Sequence, residues 1–356
     1  MEEQYSTASS DAINSSQLSF SIIITAYNRR EFLLKAILSA SNQTLSKSKY
    51  EILVIKNFED REIDALITNV RGRSILARDV NIGEYLVQAI SQSRGDVLVF
   101  LDDDDEFYPD KLEWLCSIFK HENICYHHSA LDLIDDGGRK ITASFRKKET
   151  DFITKTGLFV MKPPYSSTDV VRLRKSAGLS NMSVIAARRS TILQFTSFLQ
   201  KIESAQDLFI CFSVLISRRH LVLDPKVLTK YRLHSNNVSN FKFSSKNNLQ
   251  KKYFENISKE VKSFEVICDM ANESVAERPI KKMILYELWR SRVDMDIVDQ
   301  YSTRKKLTRD LANYMRQASR STLFPQVRIF TRCMLFLLLP DMTRRFFLES
   351  RTRYWQ

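Results

Sequence analysis

The sequence predicts an α/β protein: a mostly parallel sheet with helices on both faces, then a helical, basic C-terminal region. Three observations carry this. Short runs rich in β-branched residues alternate with segments of helical apolar spacing up to about residue 120. After about residue 225 the strand-like runs fade and long charged helical stretches follow. The charge is concentrated at that end: residues 301–356 hold 12 Lys and Arg against 3 Asp and Glu, +9 of a formal +12.

The elements are read in order. Phe20–Ala26 (FSIIITA) is a short, largely apolar run rich in Ile, long enough for a strand buried on both faces. Asn28 is the expected N-cap of the next helix, with Glu31 as its capping-box partner. Leu33, Leu34, Ile37 and Leu38 then recur at helical spacing. Tyr50–Ile55 is a second strand, 63–70 a helix and Ser74–Leu76 a short strand. Residues 83–94 form a helix with Leu86, Ala89 and Ile90 on one face. Asp96–Leu101 is another buried strand, and Pro109 opens a helix whose apolar side is Leu112, Leu115, Ile118 and Phe119. Further helices are expected over 248–271, 280–297 and 304–320. The organisation expected is a disordered Ser-rich tail over 1–18, an α/β domain over 19–235 and a helical basic region over 236–356. Polar residues 235–248 would be the linker.

Composition excludes several classes. At 44% hydrophobic and 27% charged residues the chain is globular. Five cysteines without a CxxC pair form neither a zinc framework nor a disulfide scaffold, and suit a reducing, cytoplasmic compartment. The N-terminal residues lack the apolar core of a secretory signal. The longest apolar run, Cys333–Leu339, is closed by Pro340 and falls far short of the ~18 residues of a membrane span.

In a parallel sheet, ligands bind beyond the carboxyl ends of the strands. That puts Thr25–Arg29, Lys56–Asp60 and Asp102–Asp105 on one rim. Four adjacent carboxylates repel one another and call for a cation. In an extended segment Asp102 and Asp104 would share one side, suited to Mg²⁺ or Mn²⁺ against a diphosphate. The alternative is a solvated acidic turn ahead of the Pro109 helix.

Three stretches together resemble family 2 glycosyltransferases of the GT-A fold: SIIITAYNR at Ser21–Arg29, NIG at Asn81–Gly83, and GDVLVFLDDDD at Gly95–Asp105. The resemblance covers about residues 19–235. It implies an inverting, metal-dependent transfer from a nucleotide-sugar donor to a hydroxyl on a glycan, lipid-linked or protein acceptor, with Mn²⁺ or Mg²⁺ as cofactor. It implies that Thr25, Ala26, Tyr27 and Arg29 lie against the nucleoside, with Asn57 and Asp103 also on the donor side. Asp102 and Asp104 match the family's metal and nucleotide carboxylates. Lys56 and Asn57 stand where the family usually has an Asp that reads the base, with Glu59 and Asp60 slightly later. Leu86–Ala89 replaces its Ala-Arg-Asn stretch.

SAQDLFI at Ser204–Ile210 resembles the family's Glu-Asp motif with Gln206 for Glu. This implies Asp207 as the general base, with Glu203 as the fallback. SNMSVIAARR at Ser180–Arg189 resembles the strand under the acceptor and implies Asn181 as an acceptor contact. YRLHS at Tyr231–Ser235 resembles the family's Tyr-Arg-x-His signature, which implies His234 as a metal or diphosphate ligand and leaves Arg232 as a salt-bridge partner. His127 and His128 match nothing.

Two rivals are weighed. A sugar nucleotidyltransferase would need a Gly-rich phosphate loop after the first strand, and Thr25–Arg29 has no Gly. A catalytically silent binder of sugar nucleotides or membrane surfaces is compatible with Lys56 and Gln206. In the C-terminal region Arg328, Arg332, Arg344, Arg345, Arg351 and Arg353 are mixed with Phe, Leu, Tyr and Trp, as in a helix lying at a membrane interface. A helix packed on the rest of the protein is the alternative. No sequence-reading motif accompanies these arginines, so no nucleic-acid partner is expected.

Overall fold

The structure is a computed structural model describing residues 18–78, 81–142, 157–176, 180–234 and 246–299, with parts of 307–347. The expected tail at 1–17, most of the expected linker (235–245) and much of the expected 304–320 helix lie outside the described residues. The chain divides into two compact units. One comprises residues 1–200 and 206–233; the other comprises Lys201–Ala205 and residues 234–356.

The strands of the first unit are β1 (Phe20–Ala26), β2 (Tyr50–Lys56), β3 (Arg73–Leu76), β4 (Val97–Asp102), β5 (Glu106–Phe107), β6 (Ile124–Ile134), β7 (Lys140–Ile141), β8 (Phe159–Met161), β9 (Ile185–Arg188) and β10 (His220–Arg232). Its helices are α1 (Leu33–Ser41), α2 (Arg61–Asn69), α3 (Ile82–Gln92), α4 (Lys111–Phe119), α5 (Ser167–Lys175), α6 (Arg189–Leu193), α7 (Thr196–Leu199) and α8 (Gln206–Ile216). The sheet runs β3-β2-β1-β4-β9-β6-β10-β5, with β7 on β6 and β8 on β10. β3, β2, β1 and β4 are parallel, and β9 lies antiparallel between β4 and β6.

Register fixes the rim. Thr25 stands opposite both Ile55 and Asp102, and Ala26 opposite Lys56. The carboxyl ends of β1, β2 and β4 therefore finish at one level. Alternation then assigns the faces. Ile22, Ile24, Val97, Val99 and Leu101 pack with Leu33, Ala36 and Ile37 of α1 and Leu112, Leu115 and Phe119 of α4. The other face carries Ile23, Leu53 and Phe100. Gly95 lets β4 begin beside β1: a Cβ there would lie 2.4 Å from the Phe20 carbonyl carbon and 2.5 Å from the Ser21 nitrogen.

Two boundaries differ from the sequence reading. Asn28 does not cap α1. It adopts φ 55° and the helix starts four residues later, behind Phe32, with no side-chain cap. Pro109 precedes α4 by two residues, with Asp110 at the N-cap.

In the second unit α9 (Lys246–Asn272) and α10 (Arg278–Val298) span the expected helices. Tyr253 and Ile257 of α9 and Tyr286, Trp289, Val293 and Ile297 of α10 share a core with Leu307, Cys333, Phe336 and Phe347. Arg290 is paired with Glu260 at 2.9 Å and Glu287 at 2.8 Å.

Candidate active site

The rim is built from loops that each strand end fixes. Thr25, last but one in β1, donates its hydroxyl to Asp102 Oδ1 at 3.1 Å. The Ala26 carbonyl accepts the buried Tyr85 hydroxyl of α3 at 2.6 Å, tying the strand end to that helix. Tyr27 is exposed, its ring edge-on to Tyr85 at 6.3 Å. The left-handed turn at Asn28 faces the end of β2. The Asn28 N–H donates to Asn57 Oδ1 and Asn57 Nδ2 donates to Asn28 Oδ1, both at 2.8 Å. Lys56 is buried instead, with Nζ 2.7 Å from the Phe58 carbonyl and 3.1 Å from Asp64. Asp60 caps α2 through the Glu62 and Ile63 amides, and Glu59 pairs with Arg78. Neither acid therefore fills the place of the missing Asp.

The acidic run is not extended. The Asp105 N–H donates to the Asp102 carbonyl at 3.2 Å and closes a turn. This places the Asp103 and Asp104 side chains together on Arg29, which pairs with Asp103 and lies 2.7 Å from Asp104 Oδ2. The extended form in which Asp102 and Asp104 would share one side is thus not adopted, because the chain reverses within the run. Asp105 points inward, where its Oδ1 accepts the Arg232 N–H at 2.9 Å. The buried Arg232 guanidinium binds the carbonyls of Asp104, Asp135 and Asp136 at 2.8–3.0 Å and pairs with Glu106. Beside it Lys111 is buried, with Nζ on the Ser183 carbonyl at 2.7 Å and Thr229 Oγ1 at 2.9 Å.

Electrostatics follow from this crowding. Loss of water, then the neighbouring Asp104 and Asp103 charges, push Asp102 up to about 7. Burial pushes Asp103 up to about 6 against the pull of Arg29. Asp105 is driven well above the carboxylate range by burial, and Lys111 well below the amine range for the same reason.

Among the described residues no three or more His, Cys, Asp and Glu side chains gather as a ready-made metal cage. The donor chemistry nonetheless fits a hard divalent ion with oxygen ligands. Asp102 and Asp104 supply carboxylate oxygens at the turn, and Asp103 Oδ2 is buried without a hydrogen-bond partner. Arg29 supplies the positive charge at Asp103 and Asp104.

Asp207 lies in the first turn of α8. Its Oδ2 accepts the Asn181 N–H and its Oδ1 the Leu208 N–H, both at 2.9 Å. Asn181 adopts φ 75° and uses its side-chain oxygen to cap a 3-10 turn at Met182–Val184. Its amide nitrogen is buried without a hydrogen-bond partner. Ser183, inside that turn, accepts the Asp102 N–H on its hydroxyl at 3.0 Å. A continuous path thus joins Asp207, Asn181, Ser183 and Asp102. His128 supports the same segment, with Nε2 2.9 Å from the Ser180 carbonyl. His234 is buried and belongs to the second unit.

Sequence reasoning missed Ser183, Lys111 and Tyr85. Lys111 left one signal: it is four residues before Leu115 and eight before Phe119, inside the apolar stripe of α4. Tyr85 sits two residues after Gly83 on the buried face of α3. Ser183 left none, because its role depends on tertiary pairing.

Residues 21–167 match the sequence profile of glycosyl transferase family 2. An uncharacterized glycosyltransferase of Rickettsia bellii is 24% identical over 62% of this chain and 29% of its own length. One of Haemophilus influenzae is 22% identical over 52% of this chain and 58% of its own. The glycosyltransferase AglE of Haloferax volcanii is 36% identical over 24% of this chain and 30% of its own length. The matches span less than two thirds of the length of these relatives. Among solved structures, S. aureus TarS 1-349 in complex with UDP-GlcNAc aligns with a TM-score of 0.59 at 12% identity, over 95% of this chain and 91% of that one. The parallel β3-β2-β1-β4 sheet and the acidic turn after β4 agree with the profile match, so residues 21–167 are similar to glycosyl transferase family 2, on a fold of the GT-A type shared with TarS.

Proposed function

We propose that the protein transfers a sugar from a nucleotide-sugar donor to an acceptor hydroxyl with inversion. The observation that carries this is the hydrogen-bonded path from Asp207 through Asn181 and Ser183 to Asp102. It holds a carboxylate base and the acidic turn in one frame, as a single displacement needs. On this reading the donor lies along Thr25–Arg29, Asn57 and Asp103, with Tyr27 offering an exposed ring to the base. The TarS structure that shares the fold holds UDP-GlcNAc, which makes a uridine diphosphate sugar the first donor to try. Asp102 and Asp104 would hold Mn²⁺ or Mg²⁺, which when bound neutralises the diphosphate leaving group.

Asp207 takes the acceptor proton as that oxygen attacks the anomeric carbon. The bond from that carbon to the diphosphate breaks, and its electron pair leaves with the nucleoside diphosphate. The Asn181 amide nitrogen donates to the acceptor. The acceptor class is a glycan, a lipid-linked saccharide or a protein hydroxyl, and the basic second unit brings the enzyme to an anionic membrane surface.

The test is turnover of a panel of UDP-, GDP- and dTDP-sugars with Mn²⁺ or Mg²⁺, in the wild type and Asp207→Asn. The variant keeps the size and the Asn181 N–H contact but cannot take a proton. Turnover is expected to fall by roughly 10²–10⁴ with donor affinity unchanged. An equal fall in donor affinity would place Asp207 on the donor side, and no turnover with any donor would favour a binding protein.

A further inference from the structure

The second unit has an apolar surface that its own core does not use. Cys333, Phe336 and Phe347 are buried in the core shared with α9 and α10. Between and beyond them, Leu335, Leu338, Leu339, Met342 and Phe346 are 47–71% exposed. Residues 333–338 are helical; the Leu339 N–H donates to the Leu335 carbonyl at 2.8 Å and the Thr343 N–H to the Leu339 carbonyl at 2.9 Å. At 3.6 residues per turn, Leu335 and Leu338 fall on one side of the 333–338 helix and Cys333 and Phe336 on another, and Leu339, Met342 and Phe346 follow as exposed positions. Single exposed apolar residues are ordinary on protein surfaces, but five within twelve residues mark a surface that meets something. A helix packed by one face should present polar residues on the other; this one presents Leu, Met and Phe.

Charge selects the occupant. Residues 301–356 carry +9, and Arg328, Arg332, Arg344, Arg345, Arg351 and Arg353 alternate with the apolar positions along the sequence. A second copy would bring +9 against +9. An anionic lipid surface offers both what the stripe needs and what the arginines need: hydrocarbon at the headgroup boundary and negative charge beside it. No described helix is long and apolar enough to cross a membrane, so the attachment is interfacial. We infer that Leu335, Leu338, Leu339, Met342 and Phe346 form a membrane-docking face that inserts into the boundary of an anionic bilayer, favoured there by the +9 charge of residues 301–356.

The test is co-sedimentation of the full chain with vesicles of phosphatidylcholine alone or mixed with phosphatidylglycerol, at low and high salt. It needs no sugar donor, so its outcome is independent of the catalytic reading. Binding is expected to the mixed vesicles at low salt, at least about tenfold tighter than to neutral ones, and to weaken in high salt. Replacing Leu338, Leu339 and Phe346 together by Ser should weaken binding by about tenfold or more while the melting temperature holds, since all three are exposed. Phe346→Trp keeps the apolar surface and guards against a triple variant that misfolds. Its added fluorescence should shift to the blue on mixed vesicles and be quenched by brominated lipid. Equal binding to both vesicle types, no binding, or an unshifted Trp signal would overturn the proposal. So would a wild-type dimer that the triple variant turns into a monomer, since a second copy would then cover the stripe.

Discussion

Asp104 and Arg29 show how one charged residue changes the meaning of its neighbours. Two carboxylates in a turn share one guanidinium, which offsets part of the repulsion within the run, while Asp102 is still pushed up by Asp104 and Asp103. Replacing Asp104 by Asn removes a carboxylate that the proposed metal site would use, while relieving like-charge crowding on Asp102 and Asp103. Metal-dependent transfer is therefore expected to vanish while the melting temperature stays or rises; unchanged turnover with Mn²⁺ would exclude Asp104 as a ligand. His128 allows a pH experiment. Burial lowers its ring to about 4, whereas an unfolded His takes its proton near 6.5. Between these values the unfolded chain binds more protons, so this residue's contribution to stability is lost as pH falls from about 6.5 towards 4, on the order of 3 kcal/mol in all. Asp102 and Asp103, raised in the fold, act in the opposite direction. The measurement is thus the difference in melting temperature against pH between wild type and His128→Gln, whose amide keeps a donor for the Ser180 carbonyl. A flatter acid limb is expected in the variant, and an identical slope would show that His128 does not titrate as its burial implies.

Among the elements, legibility in the sequence tracked how local the cause was. Phe20–Ala26 is mostly apolar, with Ile22–Ile24 at its centre, because it is a central strand with parallel neighbours on both sides, and its bounds could be read directly. The start of α1 could not. Asn28 has the chemistry of a cap, but its side chain pairs with Asn57, 29 residues away, and a tertiary bond won over a local one. The acidic run was legible as a cluster, with a turn only as its alternative reading, since the partners Arg29 and Arg232 that meet the turn come from distant positions. Ser180–Arg189 was legible as a strand, but the antiparallel place of β9 between β4 and β6 was not, because it enters the sheet from a later stretch of chain. Gly95 gives the element scale its own test. Gly95→Ala drives a methyl into the β1 backbone at Phe20 and Ser21, neither of which can rotate away. A loss of about 2–3 kcal/mol or more is expected in denaturant melts; a loss near zero would mean that β4 can shift its register.

At the scale of the whole chain, the two units are interleaved in sequence. Lys201–Ala205 belongs to the second unit although the residues on either side belong to the first. Within the second unit, the buried Ser263 hydroxyl of α9 accepts the Glu203 and Ser204 N–H groups, both at 3.1 Å, and donates to the Lys259 carbonyl at 2.8 Å. Lys262 pairs with Glu203 at 3.0 Å, but its ammonium is well exposed. The covalent chain runs from this anchored segment straight into Gln206 and Asp207. Ser263→Ala leaves two backbone donors without their acceptor, a cost of about 1–3 kcal/mol each where no water replaces it. Lys262→Met removes only an exposed ion pair, worth roughly 0–1 kcal/mol. If Asp207 is the base, Ser263→Ala should lower kcat by about tenfold with the donor KM nearly unchanged, because only the approach to Asp207 loosens. Lys262→Met should leave both within about twofold. A Ser263→Ala variant whose donor KM rises as kcat falls would show that the segment serves the donor side. One with wild-type kinetics and a lowered melting temperature would show that the second unit holds residues 201–205 for stability alone.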